Sequence, residues 1–198
     1  SVAREREGEH AGLLALKGYL LWNRHQIANT GAADLTEAAR CVDRALALDP
    51  DLASALIARA LLEIRQPAVD SGLILRLLHR AYVTEPTTDA CLWLTVYLCA
   101  TGHPERGLVF AEEAARIDPL SGLAALMPCW DKTFAGLHDQ ALAISRQVLA
   151  RHPDDTVTRV FCGQLAATMG AVDEAAATLR EVTAADLWGT IAALYCYG

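Results

Sequence analysis

The chain has 198 residues, 53% of them hydrophobic and 21% charged, enough apolar material for a continuous core and too much for a disordered polyelectrolyte. A net charge of −7 argues against a surface that grips nucleic acid or an anionic membrane. No run reaches the ~18–20 consecutive apolar residues that a membrane-spanning helix needs.

The first nine residues alternate in charge and read as a frayed helix start or a leader. Apolar residues at helical spacing then predict helices over 10–26 and 34–48, 52–65 and 69–84, 88–101 and 104–117, 121–135 and 138–151, and 155–169 and 172–183. A final helix at 185–197 carries Leu187, Trp188, Ile191, Leu194 and Tyr195, as a cap or as half of a truncated sixth unit. The stretch from Gln26 to Asp34 is about eight residues longer than the other intra-pair turns, and Asn29, Thr30 and Gly31 make it read as a surface loop. Pro128 falls inside a predicted helix, followed by Asp131 and Lys132 where apolar residues are expected. A kink or an early break is predicted there.

A repeat underlies this order. Gly102, Gly136 and Gly170 are separated by 34 residues each time, and Gly107, Ala141 and Ala175 keep the same interval. The second helix of each pair presents a face of small and apolar residues: Ala38, Val42 and Ala45; Ile74, Leu78 and Ala81; Gly107, Ala111 and Ala114; Ala141, Ser145 and Val148; Ala175, Leu179 and Val182. Steps of four and three put these side chains on one side of a helix. Pro50, Pro86, Pro119 and Pro153 follow the first four of these helices and stop them, with Leu187 in the fifth such position. Each repeating glycine marks the turn inside a pair, where a helix end calls for positive φ.

These units resemble tetratricopeptide repeats, helix–turn–helix pairs of about 34 residues, over roughly residues 10 to 187. The resemblance implies an all-α fold: a right-handed superhelical stack of five pairs plus a terminal helix, first helices lining the concave face. The expected boundaries are a polar leader at 1–9 and one repeat domain over 10–198, with units near 10–50, 51–86, 87–119, 120–153 and 154–187 and a terminal helix at 185–197. The run Leu16-Lys17-Gly18-Tyr19-Leu20-Leu21-Trp22-Asn23, with Leu35-Thr36-Glu37-Ala38-Ala39, Ala47-Leu48-Asp49-Pro50 and Ile117-Asp118-Pro119-Leu120-Ser121, is similar to the C-terminal repeat regions of bacterial winged-helix regulators and adenylate cyclases. That likeness implies a regulatory module beside an effector domain, and the absence of an initial methionine fits a piece of a longer protein.

The register gives a candidate concave face of Tyr19, Trp22 and Asn23; Ile57, Leu61 and Arg65; Leu92 and Cys99; Leu126, Trp130, Thr133 and Phe134; and Gln164 and Thr168. Such a surface suits an apolar or amphipathic protein or peptide partner, the alternative being that these aromatics pack between helices. Only Lys17 and Lys132 supply lysine, too few for a clamp on a terminal carboxylate. A small-ligand pocket opened by the Pro128–Lys132 irregularity is a second reading, and a homodimer through the terminal helix a third.

An enzyme is not expected. The six histidines lie mostly near helix ends or turns, and no phosphate loop, dinucleotide fingerprint or metalloprotease motif occurs, so no cofactor or metal is expected. Asp154-Asp155 and Asp173-Glu174 sit at helix starts, where acidic residues favour the helix dipole. Cys41, Cys91, Cys99, Cys129, Cys162 and Cys196 are dispersed through apolar runs without a CxxC pair. They read as buried reduced thiols, Cys162 beside Gly163 included, which points to the cytoplasm, with the periplasmic side of an anchored parent as the alternative.

Overall fold

The computed structural model describes residues 2–28, 31–180 and 182. Among them it contains ten helices and no strand. The chain divides between Ala90 and Cys91 into two compact units. The first holds α1 (Val2–Ala28), α2 (Gly31–Leu48), α3 (Ala53–Glu63), α4 (Ser71–Thr84) and the start of α5 (Thr88–Ala100). The second holds the rest of α5, α6 (Pro104–Ile117), α7 (Gly122–Phe134), α8 (His138–Arg151), α9 (Thr156–Thr168) and α10 (Val172–Leu179). The predicted final helix at 185–197 lies outside the described residues, as does Cys196.

The second helices of the first four pairs bury the face that their spacing marks, and in the fifth Ala175 is buried while Leu179 is half-buried. Ala38, Val42, Ala45, Ile74, Leu78, Ala81, Ala111, Ala114 and Ala141 have no exposed surface, and Ser145, Val148 and Ala175 are buried beside them. Small side chains here let helices approach closely. At Gly107 an added Cβ would lie 2.8 Å from Cys99 Sγ and 3.0 Å from the Thr95 carbonyl oxygen, so α5 and α6 meet almost backbone to backbone. Thr95 is sealed into the same contact, its hydroxyl donating to the carbonyls of Cys91 (2.9 Å) and Gly107 (3.2 Å). In the first unit α1 packs on α2 and α3, and α3 on α4; in the second, α7 packs on α6, α8 and α9, and α9 on α8 and α10.

The turns repeat as faithfully as the helices. Gly102, Gly136 and Gly170 have φ of 82°, 73° and 76°. Each follows a helix closed by one six-to-one bond: His103 N–H to Leu98 O (2.8 Å), Leu137 N–H to Lys132 O (2.8 Å) and Ala171 N–H to Ala166 O (2.9 Å). The left-handed glycine lets the chain reverse while the last carbonyls of the helix stay paired. At the other kind of turn, α2, α4, α6 and α8 each end two residues before Pro50, Pro86, Pro119 and Pro153. Asp49 and Asp118, each just before a proline, accept from the backbone N–H two residues on, at 3.1 and 3.2 Å.

Two expectations are corrected. The loop predicted between Gln26 and Asp34 does not form: α1 runs to Ala28, α2 starts at Gly31, and only residues 29 and 30, outside the described set, separate them. The extra residues lengthen the helices instead, and the Arg24 guanidinium grips both carboxylate oxygens of Asp34 across the two, Nε to Oδ2 at 2.7 Å. Of the kink or early break expected at Pro128, the break does not occur, since α7 continues through it to Phe134. A proline cannot donate to the carbonyl four residues back, here that of Ala124. The loss is outweighed by fixed ends, with Ser121 capping Ala124 N–H at 3.2 Å and Gly136 closing the far turn, and by the burial of Leu126, Met127 and Cys129 around the proline. Asp131, buried in the last turn of α7, is paired with Lys132 at 3.0 Å.

Candidate functional site

In the second unit, α7 carries Leu126, Cys129, Trp130, Thr133 and Phe134 at steps of three and four, so they share one helical face. α9 carries Phe161, Gln164, Leu165 and Thr168 at the same steps. The two faces line one cavity of about 420 Å³, completed by Val96 of α5 and Ser145 of α8. Trp130 and Phe161 join the helices, with ring centroids 5.2 Å apart and planes tilted by 44°. Phe134 is 49% exposed at the edge of the cavity. Beneath it Leu126, Cys129, Val148 and Cys162 form a buried cluster.

The polar groups here are few and specific. Thr133 donates to the Cys129 carbonyl (2.8 Å) and Thr168 to that of Gln164 (2.9 Å). Their protons are held by the helices, and each hydroxyl oxygen retains acceptor capacity. No other described residue hydrogen-bonds the Gln164 side-chain amide, which leaves its donors and acceptor unengaged. The lining contains no carboxylate and no basic side chain.

The cavity thus gathers Leu126, Trp130, Thr133, Phe134, Gln164 and Thr168 of the sequence-derived face. It also uses Val96, Cys129, Ser145, Phe161 and Leu165, which that reading passed over. Phe161 and Leu165 were legible, being three residues before and one after Gln164 on the same stripe; Val96 and Ser145 come from other elements.

The remaining candidates lie elsewhere. Tyr19 and Ile57 line a separate cavity in the first unit. Trp22 is only 3% exposed, and its indole N–H donates to the Leu61 carbonyl at 3.1 Å. It thereby gives a partner to a carbonyl in the last turn of α3, where helical partners run out. Leu61 is fully buried, Asn23 is half-buried on α1, and Arg65 is exposed in the turn after α3. Leu92 and Cys99 are buried in α5.

The described thiols have the wrong electrostatics for nucleophiles. Burial pushes Cys91, Cys99 and Cys162 up to about 11 and Cys129 up to about 12, and it raises Cys41 as well. An activated cysteine needs the opposite shift. Cys162 instead donates to the Ser145 carbonyl at 3.1 Å. No helix among the described residues is long and apolar enough to cross a membrane.

Residues 135–187 match the tetratricopeptide repeat family profile. No curated protein matches the chain. Among solved structures, TTC0263, a thermophilic tetratricopeptide protein of Thermus thermophilus, is similar with a TM-score of 0.65 at 22% identity, over 87% of this chain and 97% of that one. PilF of Pseudomonas aeruginosa is similar with a TM-score of 0.65 at 16% identity, over 90% of this chain and 76% of that one. At these identities the likeness is one of fold.

Proposed function

We propose that this tetratricopeptide-repeat chain is a non-catalytic binding module that seats an apolar polypeptide segment in the α7–α9 cavity. The observation that carries this reading is the lining itself: three aromatic rings and several aliphatic side chains, no charge, and a small polar set in which Thr133 and Thr168 offer acceptors and Gln164 an unengaged amide. Acceptors at an apolar mouth suit the N–H groups of a guest backbone, while the rings take its side chains. The half-exposed Phe134 stands where an anchor residue would enter. The sequence likeness of the Leu16–Asn23 run and the Ile117–Ser121 segment to bacterial regulator repeats supports a role as the regulatory part of a signalling protein, the guest being a partner segment or the protein's own effector domain.

Panning a random 12-residue peptide library on the chain, followed by fluorescence-polarisation titration of the binders, tests the site. Binders should share aromatic or leucine anchors, and Phe134→Ala and Gln164→Ala should each weaken them about tenfold, the ~1.4 kcal/mol of a modest hot spot. Binders without apolar anchors, or unchanged by both substitutions, would refute the site. A second reading, a small apolar ligand, draws on the cavity volume, which lies within the roughly 300–1,000 Å³ typical of ligand pockets. One-to-one uptake of a neutral apolar dye, with no peptide binder recovered, would favour it.

A further inference from the structure

The cavity of the first unit has a different chemistry. Its lining comes from Ala15, Leu16 and Tyr19 of α1, Ala53, Ser54 and Ile57 of α3, Glu85 and Thr87 of the α4–α5 turn and Asp89 in the first turn of α5, around about 320 Å³. Thr87 is committed to structure, its hydroxyl accepting from Ala90 N–H at 3.2 Å as a cap on α5. The two acidic side chains are not. Asp34, Glu37, Asp43, Asp51, Glu63, Glu113 and Glu174 each hold a cation. Glu85 and Asp89 pair with no cation and accept no side-chain hydrogen bond among the described residues. Both side chains are exposed, and desolvation raises the Asp89 carboxyl above its ordinary value.

We propose that this cavity receives a lysine side chain of a partner polypeptide, its aliphatic stem against Leu16, Tyr19 and Ile57 and its ammonium on Glu85 and Asp89. An apolar lining that also carries two carboxylates is complementary to a long stem ending in one compact cation, whose three ammonium donors can serve more than one acceptor. A chain of net charge −7 also draws a basic segment toward it. The occupant is a polypeptide because the cavity adjoins an exposed leucine stripe on α1. Leu13, Leu16 and Leu20, at 65%, 51% and 56% exposure, are spaced to take flanking apolar residues, and a free amine would leave them bare. The occupant class rests on reading the chain as a polypeptide binder; the site itself stands apart from the α7–α9 cavity.

The probe is the peptide acetyl-Leu-Ala-Lys-Ala-Leu-amide, compared with its norleucine twin and with hexylamine, titrated into the ¹⁵N-labelled full chain and followed by amide chemical shifts. The lysine peptide should move amides of residues 15–19, 53–57 and 85–89 saturably. The norleucine twin should bind at least tenfold more weakly, as should the lysine peptide to the Glu85→Gln/Asp89→Asn chain. Equal binding of the twin, or no saturable shift at millimolar peptide, overturns the proposal. Hexylamine binding as tightly as the peptide overturns the polypeptide occupant. Shifts confined to residues 126–134 and 161–168 overturn this site while supporting the α7–α9 one, so the two readings fail separately.

Discussion

Replacing Gly136 with alanine isolates one physical quantity, the strain of a left-handed residue at a helix end. Gly136 has φ of 73°, and an added Cβ would find no atom within 4 Å, so sterics beyond its own backbone do not contribute. The left-handed conformation costs an L-residue about 1–2 kcal/mol, while losing glycine's freedom in the unfolded chain returns about 0.4–1 kcal/mol. The net expectation is a destabilisation of about 0–1.6 kcal/mol, or up to about 6 °C in Tm for a chain of this size. Asparagine, which tolerates this region, should cost less than alanine, and β-branched valine more. Gly107→Ala and Gly107→Asn supply the opposite case, because there the added Cβ meets Cys99 Sγ at 2.8 Å and the Thr95 carbonyl at 3.0 Å. At that contact the larger side chain must be worse, with overpacking of about 1–3 kcal/mol already at alanine. Thermal and urea unfolding followed by far-ultraviolet circular dichroism would rank the variants. Asparagine worse than alanine at Gly136, or better than alanine at Gly107, would refute the assignment of the first to backbone geometry and the second to close approach.

Trp22→Phe should lower the urea midpoint by the equivalent of about 1–3 kcal/mol, because the Leu61 carbonyl loses its indole donor in a buried setting; an unchanged midpoint would mean that this bond adds nothing to the packing. Hydrogen bonds from Arg40 and then Lys17 hold Glu37 down to about 2, below its ordinary 4.5. The ionised group therefore stabilises the fold above about pH 4.5, and that contribution disappears as pH falls toward 2. Glu37→Gln should melt below the parent at pH 7, by a gap that closes at pH 2 and narrows in high salt; a gap that persists at pH 2 would contradict the linkage. Some acid sensitivity should remain in the variant, since Arg116 and Arg146 also hold Glu113 and Glu174 low.

What could be read from the sequence divides along a physical line. Gly102, Gly136 and Gly170, the prolines after α2, α4, α6 and α8, and the buried faces of the second helices are local requirements: a residue type is needed because a backbone angle, a missing N–H or a helical step needs it. The failures occur where a distant contact overrides a local preference. Asn29, Thr30 and Gly31 read as a loop, yet the Arg24–Asp34 clamp joins two longer helices around them. Pro128 reads as a breaker, yet its neighbours Leu126, Met127 and Cys129 are buried and the helix continues. The candidate surface shows the same division within one residue type. Trp22 and Trp130 lie on the same face of their respective repeat helices, and periodicity treats them alike. The first is covered, with its indole on the last turn of α3. The second stands beside Phe161 at 5.2 Å and lines the α7–α9 cavity. Helical register fixes the direction in which a side chain points, whereas the distance to the next helix decides whether that side chain fills a core or borders a cavity. That distance is set by pairs such as Trp130 and Phe161, 31 positions apart in the chain and therefore invisible to any pattern confined to one helix.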